Sequence, residues 1–228
     1  MLNRFVDDEG LVNYSALAED REGLDRYLSD LSLIGPESHP SLFPTQHHEL
    51  AYYLNAYNAF VFAGVLELGP SGSSVWGKSG LGVGFFVRRK YLLDGGVISL
   101  KKLEDEVIRA GFEDPRIHAA LNCASLDCPK LSRRAFEGSQ LSRQLDEALE
   151  DWLTSPKAVQ LDQRKGVVLL SKIFEWFSDD FVGGDDSPGG KASSLISYLN
   201  RHRSPDAQIP RSYRVEFRPY DKRLNRQP

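Results

Sequence analysis

The sequence predicts an α+β fold in which helices pack on a mostly antiparallel sheet. Three observations point there: helical spacing of apolar residues in several segments, two short hairpin patterns closed by Asp/Gly-rich turns, and no strict strand–helix–strand alternation of the kind that builds a parallel sheet. The chain has 228 residues, 41% of them hydrophobic, which is enough to bury a core without disulfide staples. No internal repeat or linker divides it, so residues 1–228 read as a single domain.

The elements follow in order. Leu24, Tyr27, Leu28 and Leu31 recur at i, i+3, i+4 and i+7 behind Asp20 as cap, predicting an amphipathic helix that ends before Gly35-Pro36. Beyond a polar loop with prolines at 36, 40 and 44, Thr45 is placed to cap a long helix through Leu68, stopped by Gly69-Pro70. Apolar residues spread round most of that helix, which makes it a central element. The stretch 51–68 approaches the length of a membrane span, but Asn55, Asn58 and Glu67 would be costly in lipid, so a helix buried in protein fits better. Residues 85–87 and 91–93 read as strands ahead of the Asp94-Gly95-Gly96 turn. Ser99 caps a helix with Leu100, Leu103, Val107 and Ile108 on one side, and Asp114-Pro115 then resets the chain for a short strand, 116–121. Leu141, Leu145, Leu149 and Trp152 mark a further helix, 158–161 and 167–170 a hairpin, and residues 174–177 a short aromatic helix. A glycine-rich loop at 182–190, a helix near 195–199 and a strand near 213–217 complete the chain. The expected centre is the long helix with the strand ending at Cys123 beside it. Such a helix against a sheet is broadly like cysteine-peptidase and transglutaminase cores, an analogy of fold alone.

Composition narrows the function classes. A formal net charge of −4 gives no general attraction to phosphate backbones or anionic lipid, so nucleic acid is not an expected partner. No basic segment followed by an apolar one opens the chain, so no secretory signal is visible in these residues. Met1 need not be the native start: the protein is periplasmic or exported if a leader is missing, and cytoplasmic otherwise. Oligomeric state does not follow from the sequence.

The most literal motif match is residues 72–79, a glycine, four residues, then Gly77-Lys78-Ser79. A phosphate cradle needs a strand before the loop and a helix after it. Here a helix precedes and Gly80, Gly82 and Gly84 follow, so the match reads as a coincidence. The stronger candidate runs from Arg116 through His118 to Asn122-Cys123-Ala124-Ser125, with Cys128-Pro129 behind it. A thiol becomes a useful nucleophile when an imidazole takes its proton and a third group holds the imidazole. On a regular strand positions 118 and 123 face opposite ways, so the pair meets only if the chain turns after Leu121, which Asn122 favours. The competing reading is a buried cysteine beside a histidine merely hydrogen-bonded in place. Metal ligation by His118, Cys123 and Cys128 lacks a fourth ligand and knuckle spacing, and no metal or cofactor is expected. A Cys123–Cys128 disulfide in an oxidising compartment would remove the nucleophile. Glu49, in the first turn of the long helix, is placed to orient His118, whereas its plainer role is a first-turn carboxylate. Asn55 and Asn58 are either brackets for adjacent loops or donors to a bound group.

At these segments the chain resembles the domain-of-unknown-function family 547, found in bacterial proteins and at the C-termini of plant proteins. Val12-Asn13-Tyr14, residues 49–59, Ser99-Leu100 with Glu104 and Arg109, residues 114–125, Cys128-Pro129, residues 170–174 and Tyr220-Asp221 look like its successive signatures. Tyr52-Tyr53 stands where the family usually has Phe-Trp, and Lys101-Lys102 where it favours acidic residues. The resemblance implies that Glu49, His118 and Cys123 act as a unit and names no reaction. Its members often look exported, some as lipoproteins.

The expected activity is that of a cysteine-dependent hydrolase or acyltransferase acting on an amide or thioester of a small-molecule or peptide substrate. Cys123 would attack, His118 would act as base and then acid, and Glu49 would orient it. Asn55, Asn58, Asn122, Ser125 and Arg116 are the expected substrate contacts, with backbone N–H groups near Cys123 as oxyanion donors. The alternative is a non-catalytic peptide- or partner-binding domain with structural cysteines.

Overall fold

The computed structural model describes residues 1–69, 72–77, 81–183 and 190–228. The chain divides into two compact units, Met1–Ala148 with Asp221–Pro228, and Leu149–Tyr220.

In the first unit, α1 (Leu2–Phe5), α2 (Tyr14–Glu19) and α3 (Glu22–Leu33) precede the long α4 (Gln46–Leu68). Leu24 and Leu31 of α3 are buried as the spacing predicts, but Arg21, not Asp20, stands at its N-cap, and Asp20 ends α2 instead. Thr45 and Gly69 bound α4 as expected, Gly69 taking the positive φ of 77° that its missing Cβ permits. Thirteen of its residues, among them Tyr57 and Phe60, are buried, so α4 is the hub of the core. Gly64 lets two rings approach it: a Cβ there would meet Tyr91 Oη at 2.6 Å and the Phe85 ring at 2.8 Å.

Two expected strands are helical. Residues 85–87 lie in a π-helical turn, Val83–Arg88, entered through Gly82 at φ 66°. The Phe86 ring occupies the place of a Gly82 Cβ, 2.5 Å away, so aromatic packing on α4 and on glycine overrides the local strand preference. The hairpin therefore lies one segment later, β1 (Tyr91–Leu93) pairing antiparallel with β2 (Gly96–Ile98) around Asp94 and Gly95. The second correction is residues 116–121, whose core is one helical turn, α7 (Ile117–Ala120). Asp114 Oδ1 accepts from Arg116 N at 3.0 Å and Asp114 O from Ile117 N at 3.1 Å. Asp-Pro here leads into a helix whose N-cap is Arg116, the aspartate side chain accepting that residue's N–H and the proline supplying a preset φ. Between these, Ser99 caps a continuous helical run of α5 (Leu100–Lys102), a π-helical stretch Leu103–Arg109 and α6 (Ala110–Phe112).

The helix α8 (Leu141–Thr154) leads out of the first unit. In the second unit β3 (Val159–Asp162) and β4 (Val167–Leu170) form the predicted antiparallel hairpin. After α9 (Lys172–Trp176), α10 (Ser178–Val182) and α11 (Gly190–Asn200), β5 (Arg214–Phe217) adds to β4 in parallel. Trp152 stacks on Phe174 at 4.8 Å, with Phe181 against both, to fill this unit's core. Helices with a hairpin and a small mixed sheet make the fold α+β. Among the described residues no helix is long and apolar enough to cross a membrane.

Candidate functional site

The loop after α7 carries both cysteines, and its shape is set by side chains from three other elements. Asn58, two turns into the buried part of α4, accepts from Asn122 N at 3.0 Å and donates to Ala120 O at 3.0 Å. Asn122 in turn accepts from Ala124 N at 2.9 Å and donates to Pro129 O at 2.9 Å. Between these brackets Ala124 is forced to φ 59°, a left-handed conformation that a residue with a Cβ rarely adopts. The C-terminal tail lies along the other edge: Leu126 N donates to Arg223 O, Asn225 N to Ala124 O, and Ser125 bridges Leu224. Asn225 also donates to Asn122 Oδ1 at 3.2 Å and accepts the Tyr14 hydroxyl of α2 at 2.8 Å. Every one of these buried polar groups therefore contributes to a single loop conformation.

Neither cysteine is in a disulfide. Cys128 is buried, and its Sγ accepts from Cys123 N at 3.1 Å and from Ser125 N at 3.4 Å. Cys123 is partly exposed, with its Sγ 3.5 Å from Ser125 Oγ. That oxygen also accepts from Trp76 Nε1 at 2.7 Å. His118, only 3% exposed, is held on α7 below the loop.

A carboxylate that feels the charge of His118 is Glu104, from the π-helical stretch. Glu49 occupies the first turn of α4, eight residues or about 12 Å along the helix axis before Tyr57, and its charge is felt at Tyr53. Glu104 is partly exposed as a residue, yet its Oε2 accepts the hydroxyl of Tyr57, itself only 1% exposed, at 2.9 Å. Burial pushes the Glu104 carboxyl above its usual range, and the charge of His118, the Tyr57 hydrogen bond and Arg109 pull it back. Burial likewise raises the Tyr57 hydroxyl far above its ordinary value, helped by Glu104 and by the two cysteines. Tyr57 therefore joins the Glu104–His118 pair to the cysteine loop in one cluster.

The remaining candidates lie close by but are bound within the protein. Asn55 brackets Phe136, donating to its O at 2.8 Å and accepting from its N at 2.9 Å. Asn58 and Asn122 are the loop brackets already described. Arg116 is forked onto Asp114 and reaches Asp146 at 2.7 Å, and the Asp114 bonds hold its guanidinium protonated beyond its ordinary range. The N–H groups of Cys123 and Ala124, expected as oxyanion donors, point to Cys128 Sγ and Asn122 Oδ1. Of the phosphate-loop pattern, Lys78 and Ser79, like Gly80, lie outside the described residues, while Ser73 O and Ser74 Oγ are bonded to the tail at Leu224 and Lys222.

Residues 42–153 match the family model described as "Protein of unknown function, DUF547". That segment belongs to the DUF547 family. It contains Tyr57, Trp76, Glu104, His118, Cys123, Ser125 and Cys128, whereas Tyr14 and Asn225, which brace the loop, lie outside it. No curated protein and no solved structure matches the chain. Tyr14, Tyr57, Trp76, Glu104 and Asn225 are members of the cluster that sequence reasoning did not assign. Glu104 had a signal, its place in the Ser99-Leu100 signature, but nothing in the spacing ties it to His118, because the contact is made through tertiary packing.

Proposed function

We propose that the DUF547 segment of this chain is a cysteine-dependent acyl-transfer centre, a hydrolase or acyltransferase for an amide or thioester. The observation that supports it is the cluster of a partly exposed Cys123 on a left-handed turn with the His118–Glu104 pair behind Tyr57. In this reading Cys123 Sγ attacks the carbonyl carbon and forms a thioester bond as the amine or thiol departs. His118 takes the thiol proton and returns it to the leaving group, then activates water or an acceptor to release the acyl group. Glu104 takes the orienting role that sequence reasoning gave to Glu49.

A panel of activated acyl esters and thioesters tests this, read by intact mass and peptide mapping. The expected result is an acyl adduct on Cys123, labile to hydroxylamine, formed at least about 100-fold more slowly in His118→Ala. Equal labelling of wild type and His118→Ala, or no adduct on Cys123 with any donor, contradicts the proposal.

The second reading, a peptide- or partner-binding domain, draws support from a cavity of about 550 Å³ in the first unit, lined among others by Tyr27, Asn55, Asn58, Phe62, Arg133 and Phe136. Its mixed apolar and cationic lining suits an acidic, partly apolar segment. An unreactive Cys123 together with saturable binding of such peptides would favour it.

A further inference from the structure

We propose that the Ser125 hydroxyl is the hydrogen-bond donor that holds the Cys123 sulfur as a thiolate, and that the Trp76 indole fixes the direction of that donation. The inference deepens the nucleophile reading of Cys123 and rests on it. Ser125 is 1% exposed, and among the described residues its Oγ has two side-chain partners, Trp76 Nε1 at 2.7 Å and Cys123 Sγ at 3.5 Å. An indole N–H donates and never accepts. The hydroxyl proton therefore cannot turn toward Trp76. While Cys123 is neutral its S–H points to the oxygen; once the proton has left, the serine O–H swings round to donate to the sulfur. An uncharged donor in a buried position favours the ionised partner, as any hydrogen bond to the charged form of an acid does.

The indole is itself held firmly. Lys222 Nζ lies 4.7 Å from its ring centroid, the Phe86 ring packs at 5.3 Å, and Trp76 N donates to Ser74 Oγ at 3.2 Å. A side chain packed by a cation and an aromatic ring and aimed at a hydroxyl beside the candidate nucleophile is more than core filling requires. Among the described residues, ionisable groups in this cluster include Cys128 and the buried Asp127 on the same loop, Tyr57 on α4 with Glu104 and His118, and Tyr14 on α2 with Arg226 in the tail. Neither tyrosine ionises in the working range, since burial raises both hydroxyls. Ser125 acts on the Cys123 sulfur directly, through its hydroxyl.

The test is the pH profile of iodoacetamide alkylation, resolved by peptide mass spectrometry so that Cys123 and Cys128 are counted apart, on the full chain. In Ser125→Ala the Cys123 inflection should rise by about one pH unit, Ser125→Thr should restore it, and Trp76→Phe should raise it part of the way, with unchanged melting temperatures for Ser125→Thr and Trp76→Phe. A wild-type inflection below the ordinary thiol range that stays in place in both Ser125→Ala and Trp76→Phe overturns this inference alone. A wild-type inflection at about 8.5 overturns the nucleophile reading and this inference with it. If Ser125→Ala does not fold, Trp76→Phe decides, because it keeps the hydroxyl and removes only the fixed donor.

Discussion

At the scale of single residues, the fold keeps a carboxyl where an ordinary one would ionise freely. Because the Glu104 carboxyl is raised above its usual 4.5, the native state retains a proton there that the unfolded chain releases above that pH. Stability from the neutral acid is present below pH 4.5 and is lost as the pH rises through the raised value. Urea unfolding of wild type and Glu104→Gln across about pH 4 to 8 should therefore show the variant gaining on wild type as pH rises, whereas a constant difference would place Glu104 in an unperturbed site. Asn58→Ala should cost about 1–3 kcal/mol, since it leaves Asn122 N and Ala120 O without their partner; a loss near zero would mean that the loop holds itself. As candidates, His118 and Cys123 were legible from residue type and proximity along the chain. Their carboxylate partner was not, because sequence spacing ties an acid to a histidine only within one element, and Glu104 arrives from another.

At the scale of elements, α4 carries the architecture and its glycine limits how tightly the rest packs. Gly64→Ala puts a methyl group within 2.6 Å of Tyr91 Oη and 2.8 Å of the Phe85 ring, and should destabilise by about 1–3 kcal/mol despite the better helix propensity of alanine. A stabilised variant in thermal unfolding would show that the two rings yield freely. The periodic helices α3 and α8 were readable from their apolar spacing, and α4 from its long apolar run and its bounding residues. Short ones failed where two signals compete. The Phe85-Phe86-Val87 run has strand composition but is drawn into a π turn by Gly82 and the α4 surface, and Asp114-Pro115 reads equally as a break and as a helix start.

At the scale of the whole molecule, the candidate site is assembled from segments far apart in sequence: α2, α4, the π-helical stretch, α7 and the tail. The tail is the least expected of these, because residues 221–227 have no apolar periodicity and pair mainly through backbone groups with residues 124–127 and 73. Asn225→Ala should therefore loosen the cysteine loop without touching either thiol, and hydrogen exchange should rise at Ala124 and Leu126; unchanged protection there would show the tail to be dispensable. The central claim is that these distant parts together make Cys123 a nucleophile. It is tested most directly by the pH–rate profile of Cys123 alkylation in wild type and His118→Ala. The account predicts a wild-type inflection well below the ordinary thiol value of about 8.5 that moves up toward it when the imidazole is removed. An inflection at the ordinary value in wild type, or a low one indifferent to His118, would contradict it.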